Sequence, residues 1–595
     1  MMLQEAEKLL QKYYGYPSFR GGQARIIQSI LEGNDTFAIM PTGAGKSICY
    51  QIPALMLEGM TLVISPLISL MKDQVDALKS LAIPSSFINS TLGIRETRTR
   101  LAKAVTGEYR LLYVAPERLE VEQFVEQIAT LPLAMVAVDE AHCVSQWGHD
   151  FRPSYRRIGP FINRLPCRPV VTAFTATATD EVKEDIIKLL ALKDPHLFIT
   201  GFNRANLSYT VVRGENKQNF LLNYLAAHTD QSGIIYAATR KEVDHLYELL
   251  LSKGYSVGKY HAGMKDRERG QVQEDFIYDN LRLMVATNAF GMGIDKSNVR
   301  FIIHYNLPKS MEAYYQEAGR AGRDGDPGEC ILLFAPQDII LQKYLIEQSV
   351  YSPVRQVHEY RKLQVMVDYA HTTRCLRHFI LEYFGETGTP ENCGNCSNCN
   401  QAGEYLDITI TAQKIFSCIK RMREQYGTKM IAEVLKGSRN QRLRQLRLDL
   451  LPTYGLMSEL SLEEIKDLIN LLIADDYLRT TGGKYPVVKL GPKAIPVLKG
   501  EARVQRKVLP QQKQASRTEN PTLFETLRQL RKEIAAREQV PPYIIFADST
   551  LHEICRNLPL NRGALLGIKG VGEAKLIKYG DQFIAAVRQY LGKNC

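Results

Sequence analysis

The strongest constraint on the fold is a rhythm. From about residue 15 to 340, short apolar runs alternate with segments whose apolar residues fall at helical spacing. The candidate strands are 36–40, 61–65, 110–115, 135–138, 170–175, 233–237, 283–287, 301–304 and 330–334. Short continuous apolar runs of this kind belong to strands buried on both faces. Amphipathic stretches such as 180–190 and 241–253 supply the covering helices. The expected fold class is therefore α/β, with doubly wound parallel sheets. Nine or more strands over roughly 325 residues exceed one core of ordinary size. Two such domains are expected, with the seam near 201–208.

The rest of the chain changes character. Residues 341–406 turn helical and end in GETGTPENCGNCSNCNQAGEY. From 408 to 500 several helices precede two short strands around Gly482-Gly483, a hairpin signal. The polar, basic stretch 501–521 reads as a linker, and the remainder as a small helical bundle. With 45% hydrophobic and 23% charged residues, the 595-residue chain has a globular balance that excludes wholesale disorder. No apolar run approaches the ~18–20 residues of a membrane span. The N-terminus, MMLQEAEKLLQKYYG, lacks the pattern of an export signal, so an unexported protein is expected. Net charge is +11, and residues 412–450 alone carry ten Lys/Arg against three acidic residues. That concentration suits a polyanion partner. An odd total of eleven cysteines argues for reduced thiols over a disulfide framework.

Pro41-Thr-Gly-Ala-Gly-Lys-Ser47 follows a candidate strand and precedes a helical stretch, the setting of a phosphate loop. Beside Thr42, Gly43 and Gly45 let backbone N–H groups meet phosphate with no Cβ in the way. Lys46 would reach the β- and γ-phosphates, and the Ser47 hydroxyl would hold Mg²⁺. Met40 stands where the usual pattern has its first glycine. Downstream, Met135-Val-Ala-Val-Asp-Glu-Ala-His142 ends a buried strand in two carboxylates. Asp139 would hold Mg²⁺ through water and Glu140 orient the water that attacks the γ-phosphate. Alone, the pair serves equally as a helix start; after a phosphate loop the catalytic reading is stronger. His142 and Cys143 have no second Cys or His at ligand spacing and are not read as a metal site.

A complement lies in Tyr314-Tyr-Gln-Glu-Ala-Gly-Arg-Ala-Gly-Arg-Asp-Gly325. Arginines that stabilise a transferring phosphoryl group are worth ~10³–10⁵ in rate. Arg320 and Arg323 are too distant in the chain to share the first core, so ATP is expected between the two domains. Finally, Cys375-x17-Cys393-x2-Cys396-x2-Cys399 offers four thiolates for tetrahedral zinc. C-x2-C-x2-C also opens a ferredoxin-type [4Fe–4S] run, although Asn400 follows here and no Cys-Pro.

Together PTGAGKS, DEAH, FTATAT (174–179) and QEAGRAGRDG resemble a superfamily-two helicase core, and further motifs resemble the RecQ DNA helicase family. Leu10-x3-Tyr14-Gly15-x3-Phe19-Arg20-x2-Gln23 is similar to that family's adenine-recognition motif. The stretch from Ser145 to Tyr155, SQWGHDFRPSY, is similar to its aromatic-rich loop. ATNAFGMGIDKSNVRFIIH (286–304) and the cysteine quartet complete a likeness covering about 10–595. Tyr236-Ala-Ala-Thr-Arg240 departs from it, with Ala where Cys or Ser is expected after the Tyr.

The resemblance implies two RecA-like domains (1–205 and 206–340), a four-cysteine zinc-binding subdomain (341–406) and a winged-helix domain (407–500). After the linker (501–521) it implies a helicase-and-RNase-D C-terminal (HRDC) domain (522–595). By the same likeness Gln23 reads the adenine edge while Arg20 and Tyr16 stack on the ring. Lys46, Ser47, Asp139 and Glu140 serve phosphate, magnesium and water; Gln316, Arg320 and Arg323 form the last core motif, with Arg323 as the finger; zinc fills the cysteine site. Trp147, His149, Phe151, Arg152 and Tyr155 are expected to contact single-stranded DNA by stacking and phosphate pairing, with core packing as the other use of such aromatics. Basic helices of the winged helix dock on duplex phosphate while its hairpin pries. Tyr543 and Gly567-Ile-Lys-Gly-Val-Gly572 are candidate nucleic-acid contacts of the last domain; a helix–helix turn explains those glycines equally well.

The expected activity is an ATP-dependent 3′–5′ DNA helicase using ATP, Mg²⁺ and Zn²⁺ on single-stranded and forked DNA. It is expected to serve repair, recombination and the SOS response at the nucleoid of a bacterial cytoplasm, as a monomer, with single-strand-binding protein as a candidate partner and no membrane. Two other classes compete: an RNA-dependent ATPase with the same core, and a non-catalytic DNA-binding adaptor.

Overall fold

The apolar runs become two all-parallel sheets in a computed structural model that describes residues 2–148, 150–291, 296–400, 404–481, 483–508 and 522–593. The first holds β1 (Thr36–Ile39), β2 (Met60–Ile64), β3 (Ser85–Ile88), β4 (Leu111–Val114), β5 (Leu133–Val138), β6 (Val170–Thr175) and β7 (His196–Ile199). Their order is β3-β4-β2-β5-β6-β1-β7. Phe37, Leu62 and Val136 point into a core on one face, and Ala38, Val63 and Phe174 into a core on the other. Both faces are covered, so central strands must be apolar throughout. The chain leaves β1 and returns as β2 on the far side of β6 and β5. A crevice therefore opens at the carboxyl ends of β1, β6 and β5, where ligands of such sheets bind.

The second sheet comprises β8 (Leu207–Arg213), β9 (Ser232–Tyr236), β10 (Val257–Tyr260), β11 (Leu283–Ala286), β12 (Val299–His304) and β13 (Gly328–Phe334), in the order β10-β11-β9-β12-β13-β8. Four strands, β3, β7, β8 and β10, were not among the expected ones. All four are edge strands. SSFI, LSYTVVR and VGKY carry polar residues that break the continuous apolar run marking a central strand.

The helices Pro336–Ser349, Pro353–His371 and Leu376–Tyr383 follow, and their core is continuous with the second lobe. Phe384 stacks on Phe202 at 4.7 Å and lies 5.0 Å from Tyr315. Such aromatic contacts add ~0.5–1.5 kcal/mol each beyond the area they bury. The next module has its own core, built on Phe416, Val434 and Leu472. Its wing pairs β15 (Leu478–Thr480) with β16 (Val488–Leu490), the other two small strands being β14 (Glu404–Asp407) and β17 (Gln505–Val508). Thr481 N donates to Val487 O at 2.9 Å, so the strands are joined by a longer connection than a two-residue Gly-Gly turn. Gly482 lies outside the described residues.

A second correction concerns the linker: β17, within 501–521, pairs antiparallel with β14. The start of that stretch thus closes the module, and 509–521 lie outside the described residues. The last module packs Thr522–Glu538, Asp548–Asn557 and Glu573–Lys593 around Leu527, Phe546 and Phe583. Among the described residues no helix is long and apolar enough to cross a membrane.

Candidate functional site

The phosphate loop turns on two glycines. Gly43 and Gly45 have φ of 82° and 79°, the left-handed region that costs other residues about 1–2 kcal/mol. A Cβ on Gly45 would also sit 2.6 Å from Gln23 Nε2. Met40 is fully buried in the core beneath the loop, packing that the pattern's glycine would forgo. Lys46 opens the helix Lys46–Met56, and its Nζ donates to Met40 O at 3.4 Å. Gln23 is only 2% exposed. Its Nε2 donates to Ala44 O (3.0 Å) and Gly45 O (3.1 Å), and its Oε1 accepts from Arg20 N (2.8 Å). Arg20 donates to Gly43 O at 3.3 Å, and its guanidinium lies 5.6 Å from the Tyr16 ring. The residues expected to read the base thus lie against the phosphate loop. Both ends of the Gln23 amide are engaged by backbone, bonds that reading an adenine edge must exchange.

At the exit of β5, Asp139 N donates to Ile64 O at 2.9 Å and Tyr155 Oη donates to Asp139 O at 2.8 Å. Glu140 follows with φ 46°, a strained conformation for a non-glycine residue that costs of order 1–3 kcal/mol. Its N–H donates to Asp139 Oδ1 at 3.0 Å. Burial, then the Glu140 charge, pushes the Asp139 carboxyl up to about 7 despite Lys46. A carboxylate short of counter-charge beside a phosphate loop is the environment a divalent cation relieves, so Asp139 and Ser47 fit Mg²⁺. His142 is held neutral, its pKa driven down to about 4 by burial. Its Nδ1 lies 2.9 Å from Thr175 Oγ1 and 3.4 Å from Glu140 Oε2.

The other half comes from the second lobe. Every residue of the helix Met311–Ala318 is buried, Arg320 beyond it is 3% exposed, and Arg323 is half-buried. Gln316, Arg320 and Arg323 line the same cavity as Thr42, Lys46, Asp139 and Glu140. That cavity measures about 1950 Å³, larger than the ~300–1000 Å³ of an ordinary small-molecule cleft. The excess arises because the C-terminal bundle lines it too, through Tyr543, His552, Lys569 and Lys575.

The bundle sits on both lobes. Tyr278 Oη donates to Gln539 O at 3.1 Å and Lys532 Nζ to Asp279 O at 3.3 Å. A Cβ on Gly15 would lie 2.7 Å from Gly572 N. Gly572, of the 567–572 run, is thus packed against the adenine-motif loop, where only glycines let the two backbones approach, while Gly567 and Lys569 stay exposed.

In the cysteine quartet, the Sγ atoms of Cys375, Cys393, Cys396 and Cys399 all lie within 4.8 Å of one another. Tetrahedral zinc with bonds of ~2.3 Å sets its sulfurs about 3.8 Å apart. The group therefore fits a single ion and leaves no room for a four-iron cluster. Backbone N–H groups of His378 and Asn395 donate to Cys375 and Cys393 Sγ, both at 3.4 Å, stabilising thiolates.

Family profiles match in series along the chain: DEAD/DEAH box helicase at 20–185, helicase conserved C-terminal domain at 216–325, RecQ zinc-binding at 336–400, RQC domain at 403–515 and HRDC domain at 520–587. The "ATP-dependent DNA helicase RecQ" of Bacillus subtilis (strain 168) is 50% identical over 590 residues, covering 99% of each chain. That of Haemophilus influenzae is 40% identical, over 98% of this chain and 96% of its own. The chain belongs to the RecQ helicase family. "ATP-dependent DNA helicase Q-like 2" of Arabidopsis thaliana is a more distant relative, 33% identical over 97% of this chain and 82% of its own.

The RecQ aromatic-rich loop does not present all the side chains expected of it. Tyr155 is fully buried and spends its hydroxyl on Asp139 O, so it is no stacking platform for a base. Its place is forced by the strand end it holds, and the nearby aromatic spacing gave no sign of that. Arg152 donates to Asp150 Oδ2 (2.9 Å) and Pro66 O (2.8 Å), bonds that a DNA phosphate would have to replace. Phe151 is half-buried between the guanidinium groups of Arg156 (5.1 Å) and Arg355 (5.9 Å). Trp147, also half-buried, packs on His358 with ring centres 5.2 Å apart. His149 lies outside the described residues.

Two functional candidates escaped the sequence reading. Lys362 is buried, donates to Trp147 O at 3.0 Å and pairs with Glu312 at 3.1 Å, tying the loop to the helix before the arginines. Arg204 lies in the seam between the lobes. Neither sits in a motif that composition or spacing singles out.

Proposed function

We propose that this RecQ chain is an ATP-driven motor that moves 3′ to 5′ on single-stranded DNA and unwinds the duplex ahead of it. The observation that carries the reading is one cavity in which Lys46, Asp139 and Glu140 of the first lobe face Gln316, Arg320 and Arg323 of the second. Lys46 and the backbone of the loop bind the β- and γ-phosphates. Ser47 and Asp139 would hold Mg²⁺, which when bound neutralises charge on the phosphate oxygens. Glu140 orients the attacking water and accepts its proton. Arg323, with Arg320 beside it, meets the charge that develops on the transferring phosphoryl group. A finger worth ~10³ in rate supplies about 4 kcal/mol, and only when the lobes close. Tyr16, Arg20 and Gln23 take the adenine.

On the DNA side, Trp147 and Phe151 offer stacking faces beside the carboxylates. Eight of the ten basic residues in 412–450 are exposed, among them Arg421, Arg442 and Arg447, which suits phosphate docking without sequence reading. Tyr485, 81% exposed in the wing loop, offers an aromatic face for the first base pair of a fork.

The test is ATP turnover with single-stranded DNA, with RNA and with neither, for wild type and Lys46→Ala, followed by unwinding of 3′-tailed and 5′-tailed duplexes. DNA stimulation lost in Lys46→Ala, with unwinding from the 3′ tail, supports the motor. Stronger stimulation by RNA would transfer the reading to an RNA-dependent ATPase, and no turnover at all to an adaptor. Unwinding from the 5′ tail alone would reverse the polarity.

A further inference from the structure

The seam between the lobes is more than a tether. Arg204 donates through Nη1 to Thr42 O and to Gly319 O (3.2 Å), and through Nη2 to Ala321 O (3.1 Å) and Gly322 O (2.8 Å). Thr42 belongs to the phosphate loop of the first lobe; the other three carbonyls belong to the second. Gly319, Ala321 and Gly322 follow the buried helix Met311–Ala318, at the end where carbonyls lack intrahelical partners and the helix dipole is negative. The guanidinium therefore caps that helix and reaches across the cleft at once. Its planar fork suits this; the point charge of a lysine does not.

The capped carbonyls bracket the two arginines of the site. Gly319 and Ala321 flank Arg320, and Gly322 precedes Arg323. Asn206, next but one in the seam, adds Nδ2 donors to Gly322 O (2.9 Å) and Asp326 O (2.7 Å), gripping the same loop from its far side. The seam is itself held. Arg377 of the zinc module donates to Asn203 Oδ1 (2.7 Å) and Arg204 O (2.5 Å), and Phe202 N donates to Glu386 Oε2 at 2.7 Å. Fit between the lobes is close where Arg204 acts. A Cβ on Gly43 would lie 3.0 Å from Arg204 Nη1, and one on Gly319 would lie 3.0 Å from Thr42 Cβ.

We infer that Arg204 is a positioning residue for ATP hydrolysis, a fork that sets the Arg320–Arg323 loop against the phosphate loop when the lobes close. The inference rests on the proposed role of Arg323. Arg204 touches no phosphate in this scheme; it acts by fixing the backbone on either side of the residues that do. Its loss should therefore lower turnover and leave nucleotide binding, which the first lobe supplies, nearly intact.

The experiment compares steady-state ATP hydrolysis at saturating single-stranded DNA for wild type, Arg204→Gln, Arg204→Lys, Arg323→Ala and the double variant Arg204→Gln/Arg323→Ala, with thermal unfolding of each full-length chain. The expected result is a kcat at least about tenfold lower in both Arg204 variants with KM for ATP within about threefold, because an interaction made only in the transition state lowers kcat without weakening ground-state binding. The double variant should fall less than about twofold below Arg323→Ala, since a residue acting through another adds nothing once that other is gone. Wild-type kcat in Arg204→Gln, a rise in KM matching the fall in kcat, or a double variant showing the full product of the two losses would each overturn the inference. Should Arg204→Gln unfold early, Asn206→Ala tests the same grip on Gly322 with a smaller side chain, and an unchanged kcat there counts against it. If Arg323→Ala itself hydrolyses ATP normally, the proposed finger has failed, and the inference with it.

Discussion

The two lobes share a parallel-sheet plan but hold their working residues differently. In the first, the phosphate loop and the carboxylates leave β1 and β5, and the sheet's own ladder fixes them. Asp139 N is bonded to Ile64 O, and Met40 N to Thr175 O, each at 2.9 Å. In the second, the arginines follow a helix and lie on a loop that the sheet holds by one backbone bond, Gly322 N to Val299 O of β12 at 2.9 Å, and by the pairing of Arg300 with Asp324. Side chains from outside the sheet supply the other bonds to it: Arg204 and Asn206 from the seam, braced by Arg377 from the zinc module. A group at a strand end inherits the rigidity of the sheet. A group held by side chains can be moved by whatever moves them. In the proposed scheme nucleotide binding is therefore local to one lobe, while hydrolysis depends on the joint.

The sharpest test of that contrast sets Arg323→Ala beside Lys46→Ala. Both should lose about 10³ in kcat, but only Lys46→Ala should weaken ATP binding by more than about tenfold in a fluorescent-nucleotide titration. Equal losses of binding would mean that the lobes do not divide the work. Zinc removal comes next. The bridge between Tyr209 of β8 and Cys396, and the bonds from Asn395 Nδ2 to Ala205 O and Leu207 O, join the metal module to the seam. Chelation, or Cys396→Ser, should release zinc, leave nucleotide affinity within about threefold and lower turnover at least about tenfold, because structural zinc carries ~10–16 kcal/mol of local folding energy. Loss of nucleotide binding in step with the metal would break the comparison.

A smaller effect probes the first lobe. Tyr155→Phe removes one buried hydrogen bond to Asp139 O, worth about 1 kcal/mol, and should lower kcat by roughly three- to tenfold with KM unchanged. The effect on turnover vanishes away from both lobes' chemistry, on the helix Pro353–His371. Burial raises the Asp368 carboxyl to about 7; Asp476 adds to the rise, while a hydrogen bond from Gln364 and the Arg374 charge oppose it. Its folded pKa lies above the unfolded one, so the fold favours the protonated form and loses stability as pH climbs towards 7. Asp368→Asn should therefore stabilise the chain at pH 8 by about 1–2 kcal/mol, with the gain fading below neutral and gone under pH 4. Thermal unfolding at the two pH values measures it. DNA-stimulated turnover should not change.

Several of these residues were visible in the sequence and others were not, for reasons that differ by residue. Asp139 and Glu140 sit directly after an apolar run, and Lys46 closes the glycine-rich loop that follows another, so a one-dimensional pattern carries both the strand and the group beyond its end. The cysteine quartet is similar, since ligand spacing is largely local. Tyr155 was visible as an aromatic fit for stacking or for core packing, and its burial depends on the strand exit it packs under. The edge strands β3 and β10 were missed because their polar positions break the run that marks a central strand. Gly572 was visible as the last glycine of a run suited to a phosphate contact or a helix–helix turn. Its neighbour, Gly15, stands more than five hundred positions away, and no period or spacing joins them.

What the sequence determined alone was therefore the set of local devices: the buried strands, the phosphate loop, the paired carboxylates, the arginine-bearing turn and the four thiolates. Each is a short segment whose backbone preference and chemistry agree. Only the tertiary structure decided how these meet. It brought two lobes to one cavity, laid the C-terminal bundle across it, and put Arg204 between the phosphate loop and the arginines. Those are contacts between segments far apart in the chain, made by backbone carbonyls that every residue carries, and a carbonyl leaves no mark in a sequence of side chains.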